Sequence, residues 1–172
     1  MSGIHSRMWR RTAIAGRESL NDWRGVSMII LAIEDNADDR RLLRYTLERH
    51  GCSVIEARDG EEGLDLAILH QPDIIVSDAL MPRLDGFQFL RTIKADPYLK
   101  VIPFLFYSET NIGGQDVKLA LSLGADAFMV NSTEPEELWE KIRTIMQARE
   151  ARQRIPAHLN TVESEEEYLK GI

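Results

Sequence analysis

Cysteine is almost absent from this chain, which carries Cys52 alone. A single thiol excludes an internal disulfide and leaves no cysteine pair for a metal. Cys52 is therefore expected to be a small buried or half-buried apolar residue in a reducing compartment. Long apolar runs are missing as well. No stretch approaches the roughly 20 residues that cross a bilayer, so no membrane partner is expected and the chain reads as soluble and cytoplasmic. The four histidines are scattered without ligand spacing, which argues against zinc. Glycine-rich phosphate motifs are lacking too; Gly113-Gly114 stands alone and reads as a turn before a helix.

Positive charge is scarce where the apolar residues concentrate. Residues 28–147 hold 12 basic against 21 acidic side chains, whereas residues 1–27 hold five Arg against Glu18 and Asp22. An acidic body argues against nucleic acid as a direct ligand. The chain thus divides into a basic leader, 1–27, a single domain, 28–147, and a C-terminal piece, 148–172. The leader lacks the apolar region of a secretory signal; it reads as an unstructured leader or upstream start, or else as a basic docking arm. In the last piece the final helix runs on to Arg154, Pro156 stops it, and an acidic tail with the run Glu163-Ser164-Glu165-Glu166-Glu167 follows. That tail reads as a disordered solvated end or as a linker.

From Met28 onward, strand and helix signals alternate. Met28 to Ile33, Ser53 to Ala57, Asp73 to Ser77, Val101 to Tyr107 and Ala127 to Val130 read as strands. Between them lie helices carrying Leu42, Leu43 and Leu47; Leu64 to Leu69; Phe87, Phe89, Leu90 and Ile93; and Val117 to Leu123. Pro135 opens a last helix with Leu138, Ile142, Ile145 and Met146 at helical spacing, and Trp139 set off that stripe as a candidate partner anchor or a core residue. Five βα units with right-handed crossovers give an α/β, flavodoxin-like, doubly wound parallel sheet in the order 2-1-3-4-5. Strands 1 and 3 adjoin in that order. The first ends on Glu34-Asp35 and the third on Asp78, so three carboxylates are expected to converge where α/β sheets collect ligands. Such a cluster is costly unless a hard cation neutralises it, and Mg²⁺ suits oxygen donors.

The order Glu34-Asp35, Asp78, Met81-Pro82-x-x-Asp85-Gly86, Ser108 and Gly124-Ala125-Asp126 resembles the receiver domain of two-component response regulators, over roughly Met28 to Gln147. The resemblance implies that Asp78 is the phosphoacceptor, with Mg²⁺ held by Asp35, Asp78 and the backbone carbonyl of Leu80, and by Glu34 through water. It makes Ser108 the switch hydroxyl and Phe128 the aromatic that responds, although a turn Ser and a core Phe are the plain readings of those positions. The implied partners are a histidine kinase or phosphotransfer protein and a downstream protein, met through the fourth helix, fifth strand and fifth helix, a face that also serves homodimers. Two positions depart from the pattern. Asn131 stands where the family has Lys, and Glu109 follows the switch hydroxyl where a small residue is usual. Both changes make the site more negative. The expected function is phosphorelay signalling by a stand-alone, non-enzymatic receiver; the alternative is a pseudo-receiver that binds a partner without phosphorylation. A haloacid-dehalogenase-like phosphatase also uses a strand-end Asp but carries a second Asp two residues on, where this chain has Leu80.

Overall fold

The computed structural model describes residues 27–81, 85–108, 113–130 and 135–154, apart from the side chains of 135 and 154. Five strands, β1 (Ile29–Ile33), β2 (Ser53–Ala57), β3 (Ile74–Ser77), β4 (Phe104–Ser108) and β5 (Ala127–Val130), alternate with five helices. The helices are α1 (Ala37–Glu48), α2 (Gly60–His70), α3 (Gly86–Ala95), α4 (Gly114–Ser122) and α5 (Pro135–Arg154). All strand pairs are parallel, in the order β2-β1-β3-β4-β5, as the alternation predicts.

Two apolar layers hold the sheet because successive strand residues point to opposite faces. On one face Leu31, Ile33, Ile75, Phe104 and Phe106 pack with Ala67 of α2, Phe89, Leu90 and Ile93 of α3, and Ala120 of α4. On the other, Ile30, Ala32, Ile74, Val76 and Leu105 meet Leu43 and Leu47 of α1 and Leu138, Ile142, Ile145 and Met146 of α5. Cys52 is buried within this second layer, and burial pushes its thiol up to about 11, which keeps it an inert apolar residue.

Local hydrogen bonds set the helix starts. The side chains of Asn36, Asp59 and Asp85 each accept from a backbone N–H in the first turn of α1, α2 and α3, as N-caps do. Beyond α1, Gly51 takes a positive φ of 77° and donates its N–H to Glu48 O at 3.0 Å.

One expectation needs correction. β4 begins at Phe104 rather than at Val101, because Asp96 accepts from the N–H groups of Tyr98 and Leu99 and winds the preceding residues into a turn. Pro103 has no N–H for a ladder; its carbonyl accepts from Ile75 at 2.9 Å. Leu42 of α1 and Ile68 and Leu69 of α2 are exposed. Each sits on the solvent side of a helix whose inward stripe is already filled by neighbours.

Candidate functional site

The strand register builds the site. Ile33 and Ser77 face each other in the β1–β3 ladder, so the next residues, Glu34 and Asp78, leave adjacent strands side by side. Asp78 N–H donates to Ile33 O at 2.9 Å and Glu34 N–H to Ala57 O at 3.0 Å, which carries the pairing one step past the strand ends. Glu34, Asp35 and Asp78 each offer a carboxylate oxygen, and these oxygens lie within 4.8 Å of one another. Asp78 lies more than forty residues along the sequence from the Glu34-Asp35 pair. Topology alone brings them together.

Their environment disfavours charge. Burial, followed by the nearby Asp78 and Asp35, pushes Glu34 up to about 7 even though Asn36 N–H donates to its Oε1 at 3.0 Å. Asp78 is also raised, chiefly by burial and further by Asp35. Opposing this, the N–H of Ala79 donates to Asp78 Oδ1 at 2.7 Å, and the Leu80 N–H and Ser108 hydroxyl favour the ionised carboxyl. Such carboxylates hold protons or gain a cation. An all-oxygen donor set with one exposed member, Asp35, fits a small hard ion that keeps part of its water shell, and so fits Mg²⁺.

Ser108 closes β4 beside this cluster and is fully buried. Its Oγ makes no hydrogen bond of ordinary geometry, although its nearness lowers the pKa of Asp78. A buried hydroxyl left in that condition is costly unless a further acceptor arrives. Phe128 pairs with Phe106 across the β4–β5 ladder, with ring centroids 5.4 Å apart, and is half-buried against the apolar layer. Leu80 lies in the loop after Asp78 with its side chain exposed. Asn131 and Glu109 lie outside the described residues. Trp139 is half-buried and stacks on His50 at 4.6 Å with planes 6° apart. Its indole therefore packs α5 against the turn after α1 and the second apolar layer, in line with the core reading.

Two participants were not singled out from the sequence, and a third was read only as part of a motif. Ser77 is buried and donates its Oγ to Asp78 O at 2.8 Å. Gly86, read there as part of a motif, packs so closely under Asp78 that an added Cβ would press on the Asp78 carbonyl oxygen. Arg40 donates to the backbone of the acidic turn. Ser77 and Arg40 have no local sequence signal, since each acts across a turn or between elements.

A parallel five-stranded sheet with helices on both faces, three carboxylates at its carboxyl edge and a buried hydroxyl beside them is the arrangement of a phosphoacceptor module. Residues 30–143 match the model of the response regulator receiver domain, and the chain belongs to that family, the receiver domain of two-component signalling. The alkaline phosphatase synthesis transcriptional regulatory protein PhoP of Bacillus subtilis is 35% identical over 121 residues, covering 70% of this chain and 49% of that protein. Transcriptional regulatory protein AfsQ1 of Streptomyces coelicolor is 35% identical over 117 residues, covering 68% and 50%. The chain thus spans about half the length of the curated relatives it matches. Among solved structures, chemotaxis response regulator CheY4 of Vibrio cholerae is 27% identical with a TM-score of 0.65, covering 70% of this chain and 99% of that one. The receiver domain of a signal transduction histidine kinase from Syntrophus aciditrophicus is 30% identical with a TM-score of 0.65, covering 71% and 92%. No helix among the described residues is long and apolar enough to cross a membrane.

Proposed function

We propose that this chain accepts a phosphoryl group on Asp78 from a histidine kinase or phosphotransfer protein and passes the signal on by protein contact, as a cytoplasmic receiver rather than an enzyme. The observation that carries this reading is the cluster of Glu34, Asp35 and Asp78 beside the buried Ser108 hydroxyl. In the reaction an Asp78 oxygen attacks phosphorus in line while the bond from phosphorus to the donor breaks. Ser77 and the close approach of Gly86 hold the Asp78 backbone, and the N–H groups of Ala79 and Leu80 favour the ionised carboxyl that attacks, against the effect of burial. The Ser108 hydroxyl then has a phosphoryl oxygen to donate to. Glu34, Asp35, Asp78 and the Leu80 carbonyl are the groups to hold Mg²⁺, which supplies positive charge where negative charge develops.

One feature favours the second reading, a pseudo-receiver that binds its partner without phosphorylation. Asn131 brings no positive charge to meet the phosphoryl group, and Glu109 adds a negative one. Incubation with acetyl phosphate and Mg²⁺, followed by intact-mass analysis, separates the two readings. The expected result is one added phosphoryl group that is absent from Asp78→Asn and from samples in EDTA. An unmodified parent chain would leave the pseudo-receiver.

A further inference from the structure

Arg40 stands in the first turn of α1, on the element that follows the acidic pair. Its backbone N–H donates to Asn36 O at 2.9 Å, as the helix requires, while its side chain turns back past the helix start. There Nη1 donates to Glu34 O at 2.7 Å and to Asp35 O at 3.3 Å. On its other side Nε lies 3.9 Å from Glu56 Oε1, and Glu56 is itself held by Arg44 Nη1 at 2.9 Å. The Arg40 side chain is only 21% exposed. The guanidinium is therefore fixed between β2 and the turn that carries two of the three carboxylates.

The target of these bonds is informative. Arg40 does not spend its charge on the carboxylates of Glu34 or Asp35; it holds their carbonyl oxygens. Fixing two successive carbonyls fixes two successive peptide planes, and with them the directions in which both side chains leave the backbone. The carboxylates stay free to face a cation. The planar fork serves both sides at once, with Nη1 on the two carbonyls and Nε towards Glu56, which one ammonium nitrogen cannot reproduce, and bonds from a charged donor are stronger than neutral ones.

We propose that Arg40 is the positioning residue of the cation site: a clamp on the Glu34 and Asp35 carbonyls that presets both carboxylates for a divalent ion, braced from behind by Glu56. This rests on the phosphoacceptor reading and extends it to a residue that touches neither ion nor phosphoryl group.

The test is a calorimetric titration of Mg²⁺ alone into the full chain and into Arg40→Gln and Arg40→Lys, with the unfolding midpoint of each measured in EDTA. Outer-shell partners of metal ligands are typically worth about 10- to 100-fold in affinity, so Arg40→Gln should bind Mg²⁺ at least about tenfold more weakly. Arg40→Lys keeps the charge but not the fork and should recover no more than about threefold of that loss. Aspartyl phosphate yield at limiting Mg²⁺ should fall in parallel. Charge acting through space gives the opposite sign, since removing a cation near the site draws Mg²⁺ in. Equal or tighter binding by Arg40→Gln therefore overturns the clamp, and so does parental affinity in Arg40→Lys. Lower midpoints in EDTA with unchanged Mg²⁺ affinity would reduce Arg40 to a structural residue and also overturn it. If Arg40→Gln does not fold, the comparison of Arg40→Lys with the parent decides the same question. A parent chain that takes up no Mg²⁺ refutes the cation site itself, and the clamp with it; a parent that binds alongside unaffected variants refutes the clamp alone.

Discussion

Gly86 opens α3 directly beneath the acceptor, and replacing it with alanine is the sharpest test of how the Asp78 backbone is held. A Cβ built there meets the Asp78 carbonyl oxygen, Phe106 Cε1 at 2.8 Å and Ala79 Cα at 2.9 Å. Two of those three atoms are backbone. The third belongs to a buried ring packed on Phe87, Phe104 and Phe128, so no flexible side chain can yield. Forcing one methyl into such a site costs about 1–3 kcal/mol. The helix propensity of alanine returns at most about 1 kcal/mol at a helix interior and less at the first position. The net expectation is a loss of about 2 kcal/mol, read as a lower urea midpoint at unchanged slope. Relief of the clash must move either α3 or the segment from Asp78 to Ala79, so phosphorylation by acetyl phosphate should fall as well. Gly114→Ala is the internal control: its Cβ meets nothing within 4 Å, and it should be neutral or stabilising by about 0.4–1 kcal/mol. Equal stability of Gly86→Ala and the parent would refute the close approach of α3 to the acceptor strand.

Other consequences concern charge and packing. In metal-free protein the Glu34 carboxyl is raised from 4.5 to about 7 on folding, first by burial. A carboxyl raised on folding adds stability that is fully present below its unfolded value and is lost as pH climbs through its folded value. Denaturation in EDTA should therefore show a loss of about 1–2 kcal/mol between roughly pH 4.5 and 7, taking ~1.36 kcal/mol per pH unit and halving for solvent at the open rim. Glu34→Gln should flatten that slope, and a parental slope in that variant would remove Glu34 as its source. Asn131→Lys should raise aspartyl phosphate yield several-fold, because a charge-assisted bond is worth roughly 1.5–3 kcal/mol against about 1 for a neutral one. If neither it nor Glu109→Ala changes the yield while Asp78 remains reactive, those two departures do not impair the site. Trp139→Ala should lower the unfolding midpoint by the equivalent of about 1–3 kcal/mol through loss of the His50 stack and its packing; unchanged stability would return the indole to the role of a partner anchor.

Much of this protein was legible in one dimension because the relevant forces are short-ranged along the chain. The caps Asn36, Asp59 and Asp85 bond to N–H groups two or three residues on, and strand and helix periodicities each repeat within a few residues. Acidic residues at the ends of the first and third apolar runs, combined with the handedness of βα crossovers, were enough to place Glu34, Asp35 and Asp78 at one edge. The sequence by itself thus determined the order of elements, the sheet topology and the acidic site. Tertiary structure decided what depends on distance across the fold. Val101 left β4 because Asp96 holds a turn before Pro103. Leu42 and Leu69 reached solvent because the inward positions of α1 and α2 were already filled, and a hydrophobic residue carries no mark of which side of its helix will be covered. Trp139 went to packing because His50, from the turn after α1, lay parallel to it. Arg40, Ser77 and Gly86 shape the site through backbone carbonyls. Every residue has such a carbonyl, so its availability is written in the path of the folded chain rather than in the identity of any side chain.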